Sequence, residues 1–403
     1  MPKTVALLGA FDTKGTEYAF VRDCIHARGH NTLLIDIGVL GQPQLTPDVT
    51  SSEVAQAAGF DLQDLVEAQD RGEAMADMKQ GVEALIPQLH AQGRFDAIMA
   101  LGGGGGTSIA CAAMRKLPLG VPKVMVSTVA GTDVSGYVGV KDIVMIPSIV
   151  DVVGINRISR DIFAKAAGAV CGMVETDVPP GDDRPLIVAS MFGNTTQCIE
   201  DAKAKLEQAG YEVLVFHATG TGGRTMESLI ESGQIAGVLD VTTTEWADEL
   251  IGGVLAAGPT RLEAAARHGI PAIVTPACLD MVNFWAPETI PDKFADRRFY
   301  QHNPNITLMR TTPDECRQLG EILAGKLNGS SGPLTVLLPL QGLSVIDSPD
   351  GPFWWPEANQ TLFDTLKKNL RPDIPVLEID ANVNDKAFSE KCATVLLEQM
   401  GAG

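Results

Sequence analysis

Several things are scarce in this 403-residue chain, and each scarcity removes a class of function. The seven cysteines (24, 111, 171, 198, 278, 316 and 392) are odd in number and include no CxxC pair. They offer neither a zinc ligand set nor a disulfide framework, and they suit a reducing compartment. Cations are few: 31 Lys and Arg stand against 50 Asp and Glu, a net charge of −19. That balance excludes a broad nucleic-acid or anionic-membrane surface, because both partners are polyanions. No apolar run approaches the roughly 18 residues that span a bilayer, and MPKTVALLGAFD is too short a run for a signal peptide. A cytoplasmic protein is expected. Aromatic residues make up only 5% of the chain, yet 45% hydrophobic residues are ample for large cores.

What is present is an alternation of strand and helix, the pattern of parallel sheets with crossover helices. TVALLGAF (Thr4–Phe11), NTLLIDIG (Asn31–Gly38), FDAIMAL (Phe95–Leu101) and VPKVMVST (Val121–Thr128) read as strands. Helices are expected at Thr16–Arg28, Ser52–Ala58, Arg71–Ala91 and Thr107–Lys116. The order then restarts at Pro185. Phe192 stands for Phe11, Ala209-Gly210 for Arg28-Gly29 and His217 for Asp36, all at an offset of 181 residues. IAGVLDVTTTEWADEL and IPAIVTPACLD echo the third and fourth units. The expectation is an α/β protein of two similar Rossmann-like, doubly wound subdomains, residues 1–178 and 179–403, joined by the acidic, proline-rich stretch Val174–Pro185. The irregular segments near Pro43 and over Ala286–Asn305 are lid or interface candidates.

Ligands of open α/β sheets sit beyond the carboxyl ends of the strands. There the first subdomain presents Phe11, Asp12, Thr13 and Lys14, then Asp36 and Gly38, then five consecutive glycines, Gly102, Gly103, Gly104, Gly105 and Gly106, with Thr107, and finally Ser127 and Thr128. A strand ending in bare backbone that opens a helix makes an anion socket, its N–H groups converging on a phosphate. The same run also serves as a tight strand-to-helix turn. Lys14 is a phosphate ligand or a solvated turn lysine. Asp36 stands where a ribose-binding acid would, or caps a turn. Asp12 or Asp133 is placed to hold Mg²⁺ through water. GAFDTKGT has its lysine before the glycine, so it is not GxxxxGK[ST], and it lacks GxGxxG. In DVVGINRISRDI, Arg157 and Arg160 would neutralise phosphate or pair with Asp151 and Asp161, and the acidity of the chain favours pairing. The second subdomain offers His217, the glycine-rich turn HATGTGGR with Arg224, Glu245, Asp280, Asn283 and His302. His217, Glu245 and Asp280 are the catalytic candidates. No metal-ligand spacing and no GxSxG or HExxH signature accompanies them.

GAFDTKG, IDIG, the glycine run ending in GT, DVVGINRISR, MFGNTT, FHATGTGGR, CLDMVNFW, FYQHNPNITLMRTT and PLQGLSVID resemble, in order and over essentially the whole chain, the Tm-one-like ATP-binding family. That family joins bacterial proteins to the N-terminal half of a plant protein that inhibits tomato mosaic virus RNA replication. The resemblance implies two Rossmann-like subdomains, ATP bound in the first by Phe11–Lys14 and Gly102–Thr107, and self-association into a homodimer or higher homo-oligomer. A viral partner is not implied, because the plant protein's extra C-terminal barrel has no counterpart here. The family brings a ligand and no reaction. Three readings follow: a nucleotide-binding protein; an enzyme of small-acid or sugar-acid metabolism, with a small anionic metabolite in the cleft between subdomains; and a regulatory protein that holds ATP as a structural ligand.

Overall fold

In the computed structural model, which describes residues 1–68 and 70–401, the chain forms two units, Met1–Pro180 and Gly181–Gly403. Unit 1 runs β1 (Thr4–Gly9), α1 (Phe11–His26), β2 (Asn31–Asp36), α2 (Ser51–Ala57), α3 (Leu62–Ala68), α4 (Arg71–Ala91), β3 (Ala97–Gly102), α5 (Gly104–Arg115), β4 (Lys123–Ser127), α6 (Ser135–Val138), β5 (Val144–Pro147) and α7 (Arg157–Glu175). Its strands pair in parallel in the order β2-β1-β3-β4-β5. Strand residues alternate between two apolar layers, as the two-residue side-chain period requires. Val5 and Leu7 meet Tyr18, Ile25 and Phe163 of α1 and α7. Ala6 and Leu8 meet Val54, Val82 and Ile109 of α2, α4 and α5. The sheet is therefore covered on both faces, which explains strands of continuous apolar residues.

Unit 2 continues with β6 (Leu186–Met191), α8 (Thr196–Gln208), β7 (Glu212–His217), α9 (Thr221–Ile230), β8 (Ile235–Thr242), α10 (Glu245–Ile251), α11 (Ala264–His268), β9 (Ala272–Ala277), β10 (Met281–Phe284), β11 (Phe299–Asn303), β12 (Ile306–Arg310), α12 (Pro313–Leu327), β13 (Leu334–Pro339), α13 (Pro356–Asn369), β14 (Val376–Ile379) and α14 (Lys386–Gln399). Its main sheet reads β14-β13-β9-β8-β6-β7. Numbered within the unit, that is unit 1's order with one strand added. The first and last helices again share a face: Cys198 and Leu206 of α8 pack in one cluster with Phe388 and Leu396 of α14. The repeat read from the sequence is thus a repeat of topology. Gly29 and Gly210, which close the first helix of each unit, both take left-handed backbone (φ +86° and +93°), where a Cβ would be strained.

Three expectations change. The first strand ends at Gly9 and its helix begins at Phe11 rather than Thr16, so Phe11–Lys14 form the first turn of α1. The glycine run does not precede a helix starting at Thr107; Gly104–Gly106 are themselves the first turn of α5, with Gly103 as N-cap. Helix starts carry free N–H groups whatever the residue type, so poor helix propensity there is tolerated. The stretch Ala286–Asn305 is not wholly irregular. It ends in β11, which joins β10 and β12 in an antiparallel sheet with a register shift between Gln301 and Asn303. All seven cysteines are free; six are buried and Cys24 is half-buried. Among the described residues, no helix is long and apolar enough to cross a membrane.

Candidate functional site

In both units the strand order reverses between the first and third strands, and crevices for ligands open at such switch points. In unit 1, β1 and β3 pair only as far as Leu8 and Ala100. Tyr18, fully buried, wedges its hydroxyl into the parting. The hydroxyl accepts from the Leu101 N–H (2.8 Å) and donates toward the Leu8 carbonyl (2.6 Å), with the Leu101 carbonyl 2.9 Å away. Gly9 makes room for this ring, since a Cβ there would lie 2.0 Å from Tyr18 Cζ. Burial pushes the phenol pKa up, so the hydroxyl keeps its proton. Tyr18→Phe should cost unit 1 about 2–3 kcal/mol, because strand-end backbone groups lose a buried partner; equilibrium denaturation checks this.

Beyond the wedge lies a cavity of about 270 Å³. Three strand ends build it: Asp12, Thr13 and Lys14 after β1, Ile37–Leu40 after β2, and Gly103–Gly106 after β3. Met75 of α4, Ile109 of α5 and Asp151 complete the lining. α5 has no side-chain cap and no acidic residue in its first turn. The N–H groups of Gly104, Gly105 and Gly106 therefore lack helical partners at the positive end of the helix dipole. Space is tight behind them: a Cβ on Gly105 would come within 2.8 Å of Met75 Cε. Lys14 breaks the helical geometry of α1 (φ −131°, ψ 19°), and its ammonium donates to the Val152 carbonyl. Asp12 accepts the Leu40 N–H through Oδ2 (2.8 Å), while its Oδ1 is buried without a partner.

The other expected residues of unit 1 support the cavity without lining it. The Asp36 carboxylate is buried and accepts the N–H groups of Phe11 and Gly38 (2.9 Å each), tying the first two strand ends together. Phe11 stacks on Tyr18 with ring centroids 5.1 Å apart. Gly102 ends β3. Thr107 and Ser127 share a buried hydroxyl contact of 2.6 Å, and Thr128 is exposed beside Gly103. Asp133 accepts the Ser135 N–H and lies outside the lining. Arg157 and Arg160 stay exposed on the first turn of α7; Asp161 pairs with Lys165 instead, one helical turn away. The sequence reading included Gly38 but missed Met75, Ile109 and the apolar rim residues Ile37, Val39 and Leu40. Only Asp151 carried a signal, through its place in DVVGINRIS.

Unit 2 fills the corresponding crevice with its own side chains. Ser190 Oγ donates to Asp240 (2.7 Å) and accepts the Thr242 N–H (2.8 Å) where β6 and β8 part. Arg261, 1% exposed, grips Asp240 with two nitrogens (2.5 and 2.6 Å) and also bonds Glu245 (2.7 Å) and Glu227 (3.1 Å). The second Glu245 interaction explains the glycine turn HATGTGGR. Its Oε1 accepts the N–H groups of Gly220 (2.7 Å) and Gly223 (3.1 Å), taking the place an external anion would hold. Asp280 is buried next to Ser344 (2.8 Å), while His217 and His302 are exposed. Among the described residues, no hydrogen bond or ion pair joins His217, Glu245 and Asp280, and no group of three or more His, Cys, Asp or Glu is arranged for a metal.

The fold defines a two-unit, doubly wound α/β protein with a glycine-lined cavity at the switch point of the first unit. The chain belongs to the uncharacterised protein family UPF0261, matching its N-terminal domain over residues 3–179 and its C-terminal domain over 184–400. A UPF0261 protein of Clostridium tetani is 48% identical over 402 residues, 99% of this chain and 100% of that one. The ToMV resistance protein Tm-1(GCR237) of Solanum lycopersicum is 39% identical over 338 residues, 81% of this chain and 45% of the tomato protein. The tomato kinship implied by the sequence motifs thus holds. A solved UDP-N-acetylglucosamine 2-epimerase from Rickettsia bellii aligns at 11% identity with a TM-score of 0.24, over 68% of this chain and 79% of that one. That likeness is too slight to carry an argument.

Proposed function

We propose that unit 1 binds a nucleotide, ATP, through its phosphates. One observation carries this reading: the first turn of α5 is glycine alone, uncapped, and opens into the switch-point cavity. Bare N–H groups at a helix start form an anion site without side-chain help. Lys14 supplies the cation that so acidic a chain otherwise lacks there. The residues fit the group. Met75, Ile109 and the 37–40 rim give an apolar wall for a ring, and Asp12, with its unpartnered buried oxygen, and Asp151 are the cavity carboxylates a Mg²⁺ ion would face. The reading of unit 2 as a small-acid enzyme gains no such open crevice, since Glu245 is filled by internal partners and Asp280 is fully buried with one oxygen on Ser344.

Thermal unfolding with and without ATP and Mg²⁺ tests the proposal. Ligand at about 100 times its Kd adds roughly 2.7 kcal/mol, on the order of 5–10 °C for a unit of this size. Lys14→Ala should weaken binding about 10- to 100-fold, the worth of a charged hydrogen bond. Gly104→Asp is the sharper variant. Its Cβ has room, the nearest atom being Tyr137 Oη at 3.9 Å, and an acid at a helix start is tolerated. The fold should keep its stability while ATP binding is lost to a carboxylate in the socket. No shift at millimolar ATP would overturn the reading.

A further inference from the structure

The loop between β5 and α7, residues 148–156, is fastened to α1 at two points. Lys14 donates to the Val152 carbonyl, and Glu17, buried one helical turn later, accepts the Gly154 N–H. Ahead of these tethers the loop makes a tight turn, with the Ser148 hydroxyl donating to the Val150 carbonyl (2.6 Å) and the Ser148 N–H to the Ser127 carbonyl (3.0 Å). Ile149 sits at φ +63°, a left-handed conformation that β-branched residues rarely adopt, and is 75% exposed. Such backbone persists only where its surroundings impose it. Val153, 68% exposed, is a second apolar side chain held outward, whereas Val152 between the tethers is fully buried. Asp151 of the same loop lines the cavity beside Lys14 and Gly103–Gly106.

We propose that Lys14 is a ligand-operated latch: a phosphate seated on the α5 glycines draws its ammonium off the Val152 carbonyl and frees loop 148–156. This rests on the nucleotide reading above. A phosphate oxygen is a stronger partner for an ammonium than a neutral carbonyl, and the lysine stem is flexible enough to swing between partners that border one cavity. Once Lys14 leaves, the Ser148 bonds still close the turn at Ile149 and tie it to Ser127, but Val152 and its neighbours keep only the Glu17 tether and Val152 burial, and that part of the loop relaxes. The coupling is reciprocal: a change away from the phosphate contacts that loosens the loop strengthens ATP binding, and one that clamps it weakens binding.

Hydrogen–deuterium exchange on the intact 403-residue chain, paired with calorimetric titration of ATP, tests the latch. With saturating ATP, amides of 148–156 should exchange at least about 5-fold faster, while those opening α5 slow down. Lys14→Ala should give the fast loop without ligand. Glu17→Gln, outside the cavity lining, should loosen the loop and tighten ATP binding by roughly 2- to 5-fold. If calorimetry records ATP binding while loop exchange is unchanged or slower, the latch is wrong and the nucleotide site stands. An unchanged loop in Lys14→Ala also overturns it. If no ATP binds, latch and nucleotide reading fall together.

Discussion

Arg261→Ala should be the most damaging single substitution in unit 2. The guanidinium is fully buried and is shared by Asp240 at the end of β8, Glu245 at the start of α10 and Glu227 on α9. Three carboxylates already outnumber one cation, and burial raises the pKa of Glu227 even with the arginine present. Without Arg261, all three would be left uncompensated in a low-dielectric interior. Breaking a buried ion pair from one side costs about 3–5 kcal/mol, or roughly 6–20 °C in Tm for a unit of this length. Arg261→Lys should recover only part of that loss, because one ammonium cannot reproduce a fork that reaches three partners. A loss below about 1 kcal/mol in denaturant unfolding would show that the network relaxes around the vacancy and contributes little.

The second large effect depends on pH. Asp280 follows β9, and its carboxyl is fully buried, with one oxygen on Ser344 and the other unpartnered. Burial first, and the neighbouring Asp347 second, push its pKa up to about 7. Asp347 is also raised, chiefly by burial, although Arg310 lies 3.5 Å away and Asn359 donates to it (2.7 Å). Burial likewise takes Asp248 up to about 7. An aspartate in the unfolded chain titrates near 4, so between about pH 4 and 7 the folded state holds a proton that the unfolded state has released. Stability from these groups is therefore complete below about pH 4 and is lost as pH rises through 7. Asp280→Asn mimics the protonated acid. It should be close to neutral below about pH 4, stabilising by on the order of 1 kcal/mol at pH 5 and by on the order of 4 kcal/mol at pH 8. Equal effects at both pH values in urea unfolding would show that the carboxyl does not titrate in this range.

Much of this architecture is legible in the sequence, because apolar period and glycine punctuation are local signals. The runs at Thr4, Asn31 and Ala97, the closing glycines Gly29 and Gly210, and the 181-residue offset are enough for two doubly wound units. The glycine run is legible as a strand-to-helix junction, though not as the helix's own first turn. Pairings between distant residues were not legible. Nothing near HATGTGGR says that Glu245, 25 residues past Gly220, fills its N–H groups. Nor does PTRLEA announce a buried arginine, since its acids come from three elements. Asp36 looked like a ligand group because strand-end acids often are. Only the fold shows that the Phe11 and Gly38 amides already occupy it. Strand ends carry the chemistry of both units, and sequence alone does not say which of those groups the protein has already paired with itself.

The cysteines, notable at first only for forming no motif, give the molecule a set of internal probes. Burial pushes the Cys111 thiol up to about 11 and Cys198 to about 12, and raises Cys24, Cys171, Cys278, Cys316 and Cys392 as well. Alkylating reagents attack the thiolate, which is scarce for such groups near neutral pH. Cys24 and Cys171 lie in the α1–α7 layer of unit 1, Cys111 in its opposite layer, and Cys198, Cys278, Cys316 and Cys392 in three clusters of unit 2. The rate at which each of the six buried thiols is modified under native conditions is thus a clock for the opening of its own layer, set by transient unfolding rather than by surface chemistry.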